Sequence, residues 1–256
     1  MRKSTIATAV LVGLFASATV SAATVNMRHE YQPSYKGNNA KHKDRISISH
    51  RLKNGIGFEV EAKWANNKND DAFGDYTGSG QQANISYLYK IGKSGFSLKP
   101  QYKWESGSTK LSHQFNLTLG YKINKAWAVS WRHRYNYERQ SSTVDKPNNH
   151  YNRWTFEAGY KGFEDWKLGA SFDYTWNSAN KGNAWEDKKA WFSEFNTKAT
   201  YTGFEGNWSP FIEIGLAPDK DKDANNKYDN AWGVGSPKAA KDIWRPRFRI
   251  GMKYKF

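Results

Sequence analysis

From Trp244 to its end the chain reads WRPRFRIGMKYKF, with Trp244, Pro246, Phe248, Ile250, Met252, Tyr254 and Phe256 at the even positions. The odd positions hold Arg245, Arg247, Arg249, Gly251, Lys253 and Lys255. A period of two is that of a β-strand, whose successive side chains point to opposite faces. A helix would scatter the same cations all round. The segment predicts a strand with one apolar face and one cationic face.

The same alternation recurs along the chain and defines twelve segments in all. Ala83, Ile85, Tyr87, Tyr89 and Ile91 form one apolar row, and Phe115, Leu117, Leu119, Tyr121 and Ile123 another. The tenth row is read as Trp191, Phe195, Ala199 and Tyr201. The connections alternate in length. Lys53-Asn54-Gly55, Gly92 to Gly95, Asn124-Lys125, Gly162 to Asp165 and Gly203 to Gly206 are tight turns. Longer polar stretches lie between them at 32–44, 66–80, 105–112, 140–150, 177–189 and 217–242. Short turns on one rim and long loops on the other, with an even strand count, predict an all-β fold: a twelve-stranded antiparallel transmembrane β-barrel of the bacterial outer membrane. Nine tryptophans, among them Trp64, Trp104, Trp127, Trp154, Trp166 and Trp208, fall near segment ends, where interfacial girdles are expected.

Composition sharpens this picture. Arg2 and Lys3, an apolar stretch from Ile6 to Phe15 and the small residues Val20-Ser21-Ala22 read as a signal peptide over 1–22, leaving the barrel at 23–256. No later stretch holds the ~18 consecutive apolar residues of a spanning helix. Mean hydropathy is −0.88, a soluble-looking value. A barrel accounts for it, because only alternate strand residues meet lipid. Aromatic residues number 41 and cysteine is absent, so no disulfide framework holds the exported chain. A net charge of +15 in a cytosolic protein would suggest nucleic acid; export points instead to a small acidic partner.

The inward positions carry the candidate chemistry. Arg245, Arg247 and Arg249 form a ladder with steps of ~7 Å. Arg28, Arg45 and Arg51 extend it on the neighbouring first two segments, and Arg132, Arg134 and Arg153 form a second ladder opposite. Inward lysines are Lys63, Lys99, Lys103, Lys122, Lys161, Lys167, Lys198, Lys253 and Lys255. Inward acids are Glu30, Glu59, Glu61, Glu138, Glu157, Asp173, Glu194 and Glu213. A salt-bridge network filling the lumen would need balance, whereas cations exceed acids. Rings of Arg and Lys select anions, and guanidinium forks bind carboxylates. A twelve-stranded barrel leaves a narrow bore, suited to an extended polyanion.

The start ATVNMRHEYQP (23–33), above all Arg28-His29-Glu30-Tyr31, the ladder-bearing strands and the end RFRIGMKYKF resemble the oligogalacturonate-specific porins. That group also includes the sialic-acid-inducible channel. The resemblance implies a monomeric channel for passive uptake of acidic oligosaccharides, oligogalacturonates first, with alginate oligomers and sialic acid as alternatives. The terminal Phe256 likewise resembles the signal read by the barrel assembly machinery. No cofactor or resident metal is expected. DKDKDANNKYDN (219–230) opens like a calcium loop but has Ala224 where glycine is wanted and Asn230 where glutamate is wanted. A barrel enzyme would need His113 or His133 beside a Ser or Asp, and no G-x-S-x-G occurs. His29, His50 and His133 are placed facing lipid or a rim. A structural or adhesive barrel would require a lumen plugged by balanced charge.

Overall fold

The computed structural model describes residues 23–66, 74–143, 147–177, 190–220 and 242–256; the signal segment 1–22 lies outside them. Twelve antiparallel strands run in chain order: β1 (Thr24–Gln32), β2 (Lys41–Arg51), β3 (Ile56–Asn66), β4 (Thr77–Tyr87, continued by Tyr89–Lys90 past Leu88), β5 (Phe96–Ser106) and β6 (Lys110–Lys122). The second half adds β7 (Trp127–Gln140), β8 (Asn149–Tyr160), β9 (Trp166–Asn177), β10 (Ala190–Tyr201), β11 (Trp208–Lys220) and β12 (Asp242–Lys255). Each strand pairs with its chain neighbours, and β1 pairs with β12, so the sheet closes into a barrel without a free edge. Closure is what hydrocarbon demands, since every backbone N–H and C=O there must find a partner in the sheet.

The packing is inverted relative to a water-soluble protein. Among the described residues the buried apolar side chains are Ala40, Ala65 and Phe211, while the buried polar ones include Glu30, Glu61, Asn136, Asp173, Arg245 and Arg247. Phe115, Ile212, Ile214 and Ile250 are each more than half exposed on the outer face. Near the short-turn rim, rings pair across strands: Trp127 with Tyr160, Trp166 with Tyr201 and Trp208 with Tyr254, at centroid distances of 4.7, 5.1 and 4.6 Å. The turns there are closed by side chains; Asn124 Oδ1 accepts from the N–H groups of Ala126 and Trp127, both at 2.8 Å. The chain end is held too, by a 2.9 Å bond from the Phe256 N–H to the Ala23 carbonyl.

Several sequence expectations need correction; β2 starts at Lys41 and β4 at Thr77, inside the stretches read as loops over 32–44 and 66–80. The stretch 105–112 is not a long loop: β5 runs to Ser106 and β6 starts at Lys110, leaving a tight hairpin. Leu111 is the one apolar side chain on these strand ends, too little for an alternation to mark them. Likewise 217–220 belongs to β11 rather than to a loop over 217–242. Residues 221–241, which hold the rest of the calcium-like stretch, lie outside the described part. The tenth apolar row also shifts. A β-bulge at Ser193 places Glu194 opposite Asp173 but Phe192 opposite Tyr174, so Phe192 faces outward and Trp191 falls in register with the inward Thr175. A bulge adds one residue to one strand, and a fixed period of two cannot anticipate it.

The seam between β12 and β1 is set by a glycine. Gly251 lies opposite Arg28 and Phe211, and a Cβ there would collide with the Met27 carbonyl oxygen and the Phe211 ring. One of the two is backbone and cannot step aside. Gly251→Val is therefore expected to cost about 3 kcal/mol of barrel stability. The loss would show as reduced yield of the compact band in unheated gel samples. Gly78→Ala, at a site with open space, serves as the matched control.

Candidate functional site

Register assembles the inward residues into rows across the lumen wall. One row runs Lys99, Thr118, Arg132, Thr155, Asp173, Glu194 from β5 to β10. The next runs Gln101, Asn116, Arg134, Arg153, Thr175. On the other wall β12, β1 and β2 are adjacent and bring Arg249, Glu30 and Lys43 into one row, with Arg28 beside Arg45. Three strands separate β8 from β12 and four separate β2 from β7, so the two arginine sets stand on different walls.

The β12 set is heavily partnered. Arg245 is almost fully buried and bonds the Pro33 carbonyl at 2.9 Å, the Gln32 carbonyl at 3.3 Å, the Asn39 carbonyl, and Asp219 Oδ2 at 3.1 Å. Arg247 Nη2 donates to Glu194 Oε2 at 2.9 Å and Asn196 Oδ1 at 2.6 Å. Arg249 reaches Glu30 Oε2 at 2.7 Å and also Glu213. On the adjoining strands Arg28 sits 3.9 Å from Glu30, and Arg45 donates to Glu61 at 3.2 Å. Arg51 lies at the short-turn rim, where it bonds the Gly55 carbonyl at 2.6 Å and Ser86 Oγ at 3.1 Å.

The β7 wall differs. Arg132 Nη2 donates to Thr155 Oγ1 at 2.9 Å, and its Nε has no hydrogen-bond partner. Arg134 Nε donates to Asn116 Oδ1 at 2.8 Å. Both partners are neutral, and neither arginine forms an ion pair among the described residues. Arg153 on β8 is neutralised by Asp173 at 3.2 Å. Lys103 is tied to Glu105 at 3.4 Å, a carboxylate it shares with Lys63 at 2.5 Å. Lys99, Lys122 and Lys253 make no ion pair among the described residues.

Several lumen groups escaped the sequence reading. Glu105 and Asp219 fall in stretches whose polarity predicts loops, yet both lie in strands and cancel cations. Lys43, Lys90 and Lys110 are further inward cations. Phe211 is an aromatic ring turned into a charged lumen; Lys198 Nζ stands over it at 3.6 Å and Lys253 Nζ at 5.8 Å. The visible signal was Phe211 breaking the apolar phase set by Trp208, Pro210 and Ile212. The histidines lie in the outward phase. His29 Nδ1 is 2.7 Å from Asp44 and its Nε2 is 3.3 Å from His42. His113 bonds the Tyr102 hydroxyl at 2.8 Å, and His133 accepts from Trp154 Nε1 at 3.1 Å.

The closed barrel has counterparts among known proteins. Residues 16–256 match the family model described as oligogalacturonate-specific porin protein (KdgM). The oligogalacturonate-specific porin KdgM of Dickeya dadantii (strain 3937) is 28% identical over 251 residues, 96% of either chain. YiiY of Salmonella typhimurium, an uncharacterized protein, is 30% identical over 91% of this chain and 89% of its own. Among solved structures, the NanC porin superposes with a TM-score of 0.68 at 16% identity, covering 91% of this chain and all of NanC. The KdgM porin in complex with disordered oligogalacturonate superposes with a TM-score of 0.62 at 23% identity, covering 91% of this chain and 99% of that one.

Proposed function

Because this chain belongs to the oligogalacturonate-specific porin family, as a barrel of the Gram-negative outer membrane, we propose that it is an anion-selective channel for passive uptake of acidic oligosaccharides, oligogalacturonates in particular. The observation that carries the reading is the pair Arg132 and Arg134, two lumen guanidinium groups with neutral partners only. A guanidinium fork left without a carboxylate is free to take one from a passing solute. Lys99, in the Arg132 row, adds a third unpaired charge.

The ion-paired lumen charges act as scaffold. Pairs such as Arg153–Asp173 and Arg247–Glu194 fix side chains across strands and keep the wall from collapsing inward. An acidic oligosaccharide is drawn in by the local potential and moves by exchanging carboxylates between cationic groups. Many weak sites in series permit both capture and release. Passage needs no energy input beyond the gradient. The channel acts as a monomer, inserted by the barrel assembly machinery through the terminal strand ending at Phe256.

Planar-bilayer recording tests this. The wild-type protein is expected to give steady single-channel current with an anion-directed reversal potential under a salt gradient. Added oligogalacturonate should block it more strongly than a neutral oligosaccharide of equal length. Absence of conductance, or equal block by the neutral sugar, would overturn the reading.

A further inference from the structure

The positive charge of the lumen is unevenly distributed along the barrel axis. Lys90 is the last residue of β4, Lys122 the last of β6, Lys167 the second of β9, and Lys253 and Lys255 close β12. Lys161 directly follows β8. By strand alternation all six point inward, opposite in phase to Tyr89, Tyr121, Tyr160, Trp166, Met252 and Tyr254. None forms a side-chain hydrogen bond or ion pair among the described residues. Within the strands, the inward positions near these ends hold no acid; Asp165, in the same phase, directly precedes β9. Glu59, Glu157 and Glu213 lie further in, and the turns add Glu164, Asp165 and Glu205 on one side only.

Toward the long-loop rim the picture reverses. Glu30, Glu61, Glu105, Glu138, Asp173 and Glu194 all lie there, and each is engaged by Arg or Lys at 3.5 Å or less. Cancelled charge therefore fills one half of the lumen, and uncancelled lysine crowns the mouth of the other. Short turns of outer-membrane barrels face the periplasm. We propose that this periplasmic mouth is a second anion-binding site, a lysine vestibule that holds carboxylate-bearing sugars as they leave the arginine wall. The assignment rests on the porin reading above and extends it: the channel is electrically asymmetric, with a second anion site near the exit. Low-dielectric walls around a ring of like charges focus the field into the opening. The ammonium groups are strongly hydrated point charges, so they hold a carboxylate loosely enough to release it.

The test is the voltage dependence of block by digalacturonate in singly oriented channels. The chain has no cysteine, so Ser94→Cys in a short turn reports orientation through a membrane-impermeant thiol reagent. Blocker from the long-loop side is expected to cross more than half of the applied field before it binds. Lys90→Gln, Lys122→Gln and Lys161→Gln together should weaken block by about three- to tenfold and move the site away from the periplasmic end. The effect should fade near 1 M salt, where the screening length falls to ~3 Å. Lys110→Gln with Glu138→Gln, which removes a neutral pair near the other rim, should change neither quantity. A site in the long-loop half of the field, or a triple variant that blocks like wild type, would overturn the vestibule while leaving an anion channel. Loss of both anion selectivity and block in the wild type would instead overturn the porin reading, and the vestibule with it.

Discussion

Arg132→Gln combined with Arg134→Gln is expected to lower anion selectivity and weaken oligogalacturonate block by at least about a hundredfold, since a hydrogen bond to a charged group contributes ~1.5–3 kcal/mol and two are removed. The barrel should still form. Arg132 donates to Thr155 and Arg134 to Asn116, both neutral, and a glutamine amide can donate to the same oxygens. No buried carboxylate is stranded by the change. Reversal potential under a salt gradient reads the selectivity, and titrated current block reads the affinity. Arg132→Lys with Arg134→Lys separates charge from shape. Selectivity should return with the ammonium charges, whereas block should recover only in part because the planar fork is gone. Unchanged block in the glutamine variant would remove the β7 wall from the substrate path.

Arg245→Ala is expected to be the most damaging single change to stability, at about 3–5 kcal/mol, the usual cost of stripping one partner from a buried ionic network. The Arg245 guanidinium is almost wholly enclosed and joins carbonyls of Gln32, Pro33 and Asn39 to the Asp219 carboxylate. It thereby fastens the 33–40 connection, with its Tyr35–Asn38 bridge and the 3.0 Å bond from the Ala40 N–H to Ser34 Oγ, against β11 and β12. Truncation takes this donor from the Pro33 and Asn39 carbonyls. Lysine at the same place offers three donors from one compact head and cannot span the set, so Arg245→Lys should recover less than half of the loss. Urea midpoints of the protein refolded in vesicles measure both. A midpoint for Arg245→Ala within about 0.5 kcal/mol of wild type, the range of an ordinary surface change, would show that the loop finds other partners.

These two variants separate residues that look alike in the sequence. Arg245 and Arg134 both stand at alternate positions of an apolar-phased strand, and the period of two assigns both to the lumen. One is a tether for a loop and the other faces the lumen with its charge uncancelled. Neighbours more than 200 residues away in the chain make the difference for Arg245. For Arg134 the decisive neighbour is Asn116, which occupies a place where an acid would have cancelled it.

The alternation of the chain by itself determined the strand count, the two faces, the short-turn rim and the closed antiparallel barrel, because a strand in lipid must show apolar groups at every second residue. It could not mark strand ends that rise out of the apolar band, such as Glu105–Ser106, polar on both faces, and Ala217–Lys220, where the apolar run of β11 gives way to Asp219 and Lys220. Nor could it anticipate the Ser193 bulge, which turns Phe192 outward by inserting one residue. Which lumen charges cancel was decided only by the tertiary structure. Ion pairs form across strands and through register, so Arg249 meets Glu30 and Glu213 while Arg132 meets Thr155. Composition counts charges, but an electric field depends on where they stand and on what lies within a few ångströms of each.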